Sequence, residues 1–188
     1  MYRNLPNLLS TLRLILVPFV AHSILSADFH RAAVLIFVAG CTDALDGHLA
    51  RHFRWTSRIG AYLDPVADKL LLITTFVALG VQGAVPAWLV WLILGRDALI
   101  LTMVAIALLF TSVRSFPPSV WGKLSTIVQV FTALAVIVDR AYVAADFHAF
   151  EMFIVAVTAS ATISSGVHYA WRAVAEFPAA RLVHKTRL

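Results

Sequence analysis

Long apolar windows separated by short polar connections recur six times along the chain, near residues 8–25, 32–53, 60–82, 86–110, 119–143 and 149–171. Each falls in the range of about 17 to 25 residues that crosses a bilayer as an α-helix. The pattern predicts an all-α integral membrane bundle of six transmembrane helices. Residues 1–175 form one membrane domain, followed by a short, basic and mobile tail over 176–188. Asn4, Leu5, Pro6 and Asn7 form an interfacial lead-in, since proline is accommodated at or before a first helical turn. The first window has the look of a cleavable signal, with Arg3 before it and small residues around Ala27. Arg13 interrupts it and Pro18 bends it, so a retained helix is expected.

Composition supports this. Hydrophobic residues make up 61% of the 188 and charged residues 13%, and the mean hydropathy is +0.86. Such a chain has too little polar surface for a water-soluble globule. Its single cysteine, Cys41, excludes an internal disulfide and is expected to be a small packing residue. With the N-terminus cytoplasmic, Arg3, Arg51, Arg54, Arg58, Arg114, Arg172, Arg181, Lys185 and Arg187 collect on one side, against Arg31 and Arg140 on the other. That bias places both termini in the cytoplasm. The net charge of +5 is then a topology signal and an attraction for anionic headgroups. No nucleic-acid-binding module is present.

Against this apolar background stand four aspartates, Asp43, Asp46, Asp64 and Asp68. On insertion scales an aspartate at a helix centre costs roughly 2.5–3.5 kcal/mol, so such a cluster demands a cation. Residues three or four apart share a helical face, which groups Asp43, Asp46, Gly47 and Ala50 on the second helix and Asp64 with Asp68 on the third. A short Arg-rich connection makes these helices antiparallel neighbours. Their acids then converge on a cavity opening to cytoplasmic water. Carboxylates without cysteine or paired histidine suit Mg²⁺ or Mn²⁺, and two ions offset the mutual repulsion better than one. Gly47 and Ala50 leave space for a flat or phosphorylated group, and Arg51 suits a phosphate.

The pattern D-x2-D-G-x2-A-R-x8-G-x3-D-x3-D, from Asp43 to Asp68, is complete, and it resembles that of the CDP-alcohol phosphotransferase family. The resemblance implies a six-helix membrane enzyme, a homodimer, that moves a phosphatidyl group from CDP-diacylglycerol to an alcohol and releases CMP. It implies Asp43, Asp46, Asp64 and Asp68 as metal ligands, with Asp68 also the catalytic base. It further implies that Asn7, Gly47, Ala50, Arg51, Ser57 and Gly60 lie against CDP-diacylglycerol. The site would face the cytoplasm at the inner (plasma) membrane.

The opening Asn4 to Arg13, the run Leu63 to Lys69, the Gly95 to Asp97 triplet and the stretch Gly122 to Gln129 are similar to phosphatidylglycerophosphate synthases and CMP-forming cardiolipin synthases. Glycerophosphate-using relatives commonly carry Arg-Glu and another arginine two turns on in the fourth span. Here Arg96-Asp97 is followed by Val104, which leans toward phosphatidylglycerol as acceptor, with glycerol-3-phosphate the alternative. Arg13, Arg96 and Lys123 are candidates for holding the acceptor phosphate; otherwise Arg96 pairs with an aspartate while Arg13 and Lys123 snorkel. His48 and His52 lie outside the fixed positions, and His168, Tyr169 and Trp171 read as an interfacial aromatic belt. A cation transporter could also line helices with aspartates, but such sites favour the midplane between related halves. The second half of this chain does not echo the first.

Overall fold

A computed structural model describes residues 5–53, 58–110, 119–142 and 148–185, with side chains described over 10–42, 64–106, 119–142 and 150–172. Among these residues the chain is all-α: α1 (Leu5–Leu25), α2 (Phe29–Phe53), α3 (Arg58–Val81), α4 (Ala87–Phe110), α5 (Val120–Tyr142) and α6 (His148–Lys185). The first five agree with the apolar windows to within three residues at each end. The sixth runs on. The segment from Glu176, expected as a mobile tail, continues α6 to Lys185.

Local chemistry sets the helix ends. Past α1, Ala27 adopts φ 58°, while its N–H reaches Ile24 O and that of Asp28 reaches Ser23 O, both at 2.9 Å. This is a Schellman closure with a left-handed residue just beyond the helix. Asp28 then caps α2, accepting from the Arg31 N–H at 3.0 Å. The end of α3 repeats the closure with Gly83 at φ 68°, as the Ala84 N–H reaches Leu79 O at 2.9 Å. At α5 the cap is Ser119, whose Oγ accepts from the Gly122 N–H at 3.0 Å.

The chain divides into two units, one holding α1, α2, α3 and the end of α5, the other α4, the start of α5 and α6. In the first, α1 packs against both α2 and α3. Three side-chain contacts fix how α1 and α3 run: Ser10 donates to Asp64, Arg13 to Asp68, and the Gln82 amide to Leu25 O. Both numbers rise together, at separations of 54, 55 and 57 residues. The two helices are therefore parallel and tied near both ends, the geometry that one intervening return helix produces. Val20, Ile24, Phe76 and Leu79 are buried in this unit.

In the second unit α5 and α6 run antiparallel along a buried polar seam. Tyr169 Oη accepts from the Ser119 N–H at 3.1 Å. The Gln129 amide donates to Thr162 Oγ1 at 3.2 Å and to Ser125 Oγ at 3.3 Å. Thr132 and Thr158 share a hydroxyl contact of 2.6 Å. From α4, Arg96 donates to Ser165 Oγ through Nε at 3.1 Å, to Asp97 Oδ1 at 2.9 Å and to Gly122 O at 3.4 Å, and it lies 5.9 Å from the Tyr169 ring centre. Tyr169 was expected in an interfacial belt. It instead closes this seam, because a phenol hydroxyl is the right length to reach the cap of α5.

The burial pattern is that of a protein in lipid. Ser10, Arg13, Arg96, Asp97, Gln129, Thr132, Thr158, Thr162 and Ser165 are buried, whereas Phe37, Trp91, Leu101, Met152, Phe153 and Trp171 are exposed. Hydrocarbon gives little driving force to bury leucine, so small and hydrogen-bonding residues mediate helix contact alongside apolar ones such as Phe76 and Leu79. Cys41, expected to pack inside, is exposed. Among the described residues, three helices, Ala87–Ile106, Val120–Tyr142 and Phe150–Arg172, are long and apolar enough to cross a membrane; Ser10–Leu25 and Phe29–Thr42 are shorter apolar stretches.

Two stability outcomes follow. An L-residue in the left-handed region is strained by about 1–2 kcal/mol, so Ala27→Gly should stabilise the protein by about 1 kcal/mol after the added freedom of the unfolded glycine. Thermal unfolding in detergent should show a raised Tm. Arg96→Leu removes one member of a buried ion pair and should destabilise by about 3–5 kcal/mol. The double variant Arg96→Leu/Asp97→Leu should recover most of that loss in the same assay.

Candidate active site

The motif divides between α2 and α3. Helix α2 carries Asp43, Asp46, Gly47, Ala50 and Arg51 in its last turns before Phe53, and α3 carries Gly60, Asp64 and Asp68 in its first. The side chains of Asp43, Asp46, Gly47, Ala50, Arg51 and Gly60, and that of Asn7 on α1, lie outside the described residues, as does Ser57 altogether. The expected convergence of the two acidic pairs therefore rests on positions outside that description. What is described is the α3 half.

Asp64 and Asp68 lie one turn apart, so their carboxylates share a face of α3. Both meet α1: the Ser10 hydroxyl donates to Asp64 Oδ1, and Arg13 Nη1 donates to Asp68 Oδ1. The donors are buried, Ser10 at 0% and Arg13 at 1% relative exposure. The Asp68 side chain, at 51%, is open. An ionised carboxylate has about four acceptor positions, so a contact from α1 is compatible with ligation by the same carboxylate. Hard oxygen donors of this kind fit a magnesium-like ion. No cluster of three or more candidate metal-ligating side chains occurs among the described residues.

The three residues considered for an acceptor phosphate occupy different surroundings. Arg13 is paired with Asp68. Arg96 is buried among protein partners, its guanidinium engaged by Asp97, Ser165 and Gly122 O. Lys123 alone of the three is exposed, in the first turn of α5. Nearby packing is tight: a Cβ on Gly122 would stand 2.9 Å from Tyr169 Oη and 3.3 Å from Arg96 Nη2. Sequence reasoning gave no role to Ser10 or Ser165 and read Tyr169 as part of an aromatic belt. Ser10 had one available signal, its place one turn before Arg13 and on the same face.

Comparison with known proteins identifies the family. Residues 3–171 match the model of the CDP-alcohol phosphatidyltransferase family. A Mycobacterium tuberculosis protein bearing the name probable phosphatidylglycerophosphate synthase is 33% identical over 177 residues, covering 91% of this chain and 82% of its own. A Drosophila melanogaster protein named probable cardiolipin synthase (CMP-forming) is 38% identical over 101 residues, 52% of this chain and 31% of its own. The cardiolipin synthase (CMP-forming) of Rattus norvegicus is 37% identical over 102 residues, 54% of this chain and 34% of its own. The apolar helices make this a membrane protein, and it belongs to the CDP-alcohol phosphatidyltransferase family, a phosphatidyltransferase of phospholipid synthesis.

Proposed function

We propose that the protein transfers a phosphatidyl group from CDP-diacylglycerol to a glycerol-type hydroxyl, with phosphatidylglycerol as acceptor and cardiolipin as product. The observation that carries the reaction class is the complete aspartate motif on a chain whose residues 3–171 match the family. The reaction forms a bond from the acceptor oxygen to the phosphorus bearing diacylglycerol. The bond from that phosphorus to the CMP oxygen breaks, and CMP leaves with the electron pair.

Asp68 takes the proton of the attacking hydroxyl, a role that its half-exposed side chain on α3 permits. Asp43, Asp46, Asp64 and Asp68 hold two ions, Mg²⁺ or Mn²⁺, which when bound polarise the phosphate oxygens and offset the charge of the leaving nucleotide. Asn7, Gly47, Ala50, Arg51, Ser57 and Gly60 bind the donor. Of the three candidates for holding the acceptor phosphate, Lys123 is the exposed one. The chain crosses the bilayer six times with both termini cytoplasmic, opens its site to the cytoplasmic face, and works as a homodimer. The parallel register of α1 and α3 supports that alternation.

A second acceptor, glycerol-3-phosphate, is favoured by a separate observation: the relative that covers 91% of this chain bears the phosphatidylglycerophosphate synthase name. Phosphatidylglycerol is preferred because α4 has Val104 where glycerophosphate users commonly have an arginine.

Purified protein offered CDP-diacylglycerol with phosphatidylglycerol, glycerol-3-phosphate, inositol phosphate and serine in turn should release CMP only with Mg²⁺ or Mn²⁺. Mass spectrometry should find cardiolipin. Phosphatidylglycerophosphate would move the acceptor to glycerol-3-phosphate, and metal-dependent cation flux without CMP would identify a transporter. Asp68→Asn should lower turnover roughly a hundredfold or more; full turnover in that variant would remove Asp68 from the role of base.

A further inference from the structure

We infer that α1 forms a third wall of the aspartate site, with Ser10 and Arg13 as positioning residues for Asp64 and Asp68. The inference rests on the reading of those aspartates as metal ligands and base. Its starting point is a ladder of two contacts. Ser10 and Arg13 lie three apart on α1, Asp64 and Asp68 lie four apart on α3, and each α1 donor meets the aspartate at its own level. In a parallel helix pair this is the match that one turn against one turn produces.

The contrast in exposure gives the ladder its direction. Ser10 and Arg13 are sealed, at 0% and 1%, while the Asp68 side chain is 51% exposed. The fixed partners are therefore on α1 and the working groups on α3. A guanidinium this deeply buried in a membrane helix is tolerated when a carboxylate answers it. With its Nη1 on Asp68 and the residue 1% exposed, Arg13 is turned toward that carboxylate and away from open solvent. A hydroxyl has a single proton to donate, so Ser10 selects one oxygen of Asp64. Partners that orient ligating carboxylates commonly matter nearly as much as the ligands themselves.

The test measures Mn²⁺ alone binding to the intact protein in detergent micelles, by the electron paramagnetic resonance signal of the free ion, for wild type, Arg13→Gln, Arg13→Lys and Ser10→Ala. Steady-state CMP release follows on the same preparations. As a positioning residue, Arg13 predicts that Arg13→Gln weakens Mn²⁺ binding about tenfold or more and lowers kcat while the acceptor KM stays unchanged. Arg13→Lys, which keeps the charge, should restore part of both. Ser10→Ala should shift Mn²⁺ binding the same way by a smaller factor, and it covers the case in which Arg13→Gln fails to fold.

Tighter Mn²⁺ binding by Arg13→Gln would overturn the inference, making Arg13 a competing counter-ion. A raised acceptor KM with Mn²⁺ affinity and kcat intact would overturn it in favour of acceptor binding. Wild type that binds Mn²⁺ and turns over, with both sets of variants unaltered, would overturn this inference alone. Wild type that neither binds Mn²⁺ nor releases CMP would overturn the aspartate reading and this inference with it.

Discussion

A charged or hydrogen-bonding side chain inside a lipid-facing helix bundle must find its partner within the protein, because the surrounding hydrocarbon offers none. Among the described residues, Arg13 with Asp68, and Arg96 with Asp97, Ser165 and Gly122 O, are places where this chain meets that demand with full charges. Much of the rest follows from them. The Arg13 contact sets α1 beside α3 in parallel register, and the Arg96 contact draws α4 onto the seam between α5 and α6. Apolar contact could not choose these pairings, since leucine is as content against lipid as against another helix.

The helices were legible in the sequence because hydrocarbon thickness fixes the length of an apolar run. Their mutual arrangement was not. Helix α4 is apolar on nearly every side, so periodicity does not reveal which face is covered. The information sits in serines and threonines, such as Thr132, Thr158, Thr162 and Ser165, which are unremarkable as single letters and become meaningful only when two helices bring them together. The end of α6 was misjudged for a related reason. The charged stretch from Glu176 looks like a tail by hydropathy, yet α6 continues to Lys185, because charge ends an apolar window without ending a helix.

The candidate site was legible to the extent that its chemistry is unusual. Asp64 and Asp68 stand out because carboxylates are rare in such surroundings, and their spacing is fixed by the helical turn. Ser10 did not stand out, although it is as buried as any residue in the structure. Arg13 and Arg96 were recognisable as intramembrane charges, but a charge read from sequence does not disclose whether its partner is a ligand or the protein. In the structure both guanidinium groups are buried and meet a carboxylate of the protein, Asp68 for Arg13 and Asp97 for Arg96, whereas Lys123 is exposed.

The separation of 55 residues between Arg13 and Asp68 also bears on how the protein is made. During synthesis the arginine is made well before its carboxylate, and an unanswered arginine at the centre of a membrane helix costs roughly 2.5–3.5 kcal/mol on insertion scales. Until α3 arrives, the first helix can relieve that cost by sitting shallow, with the guanidinium reaching for headgroups. The contact that ties α1 to α3 therefore forms only once α3 has been made, so the register of the amino-terminal helix is set well after that helix is made.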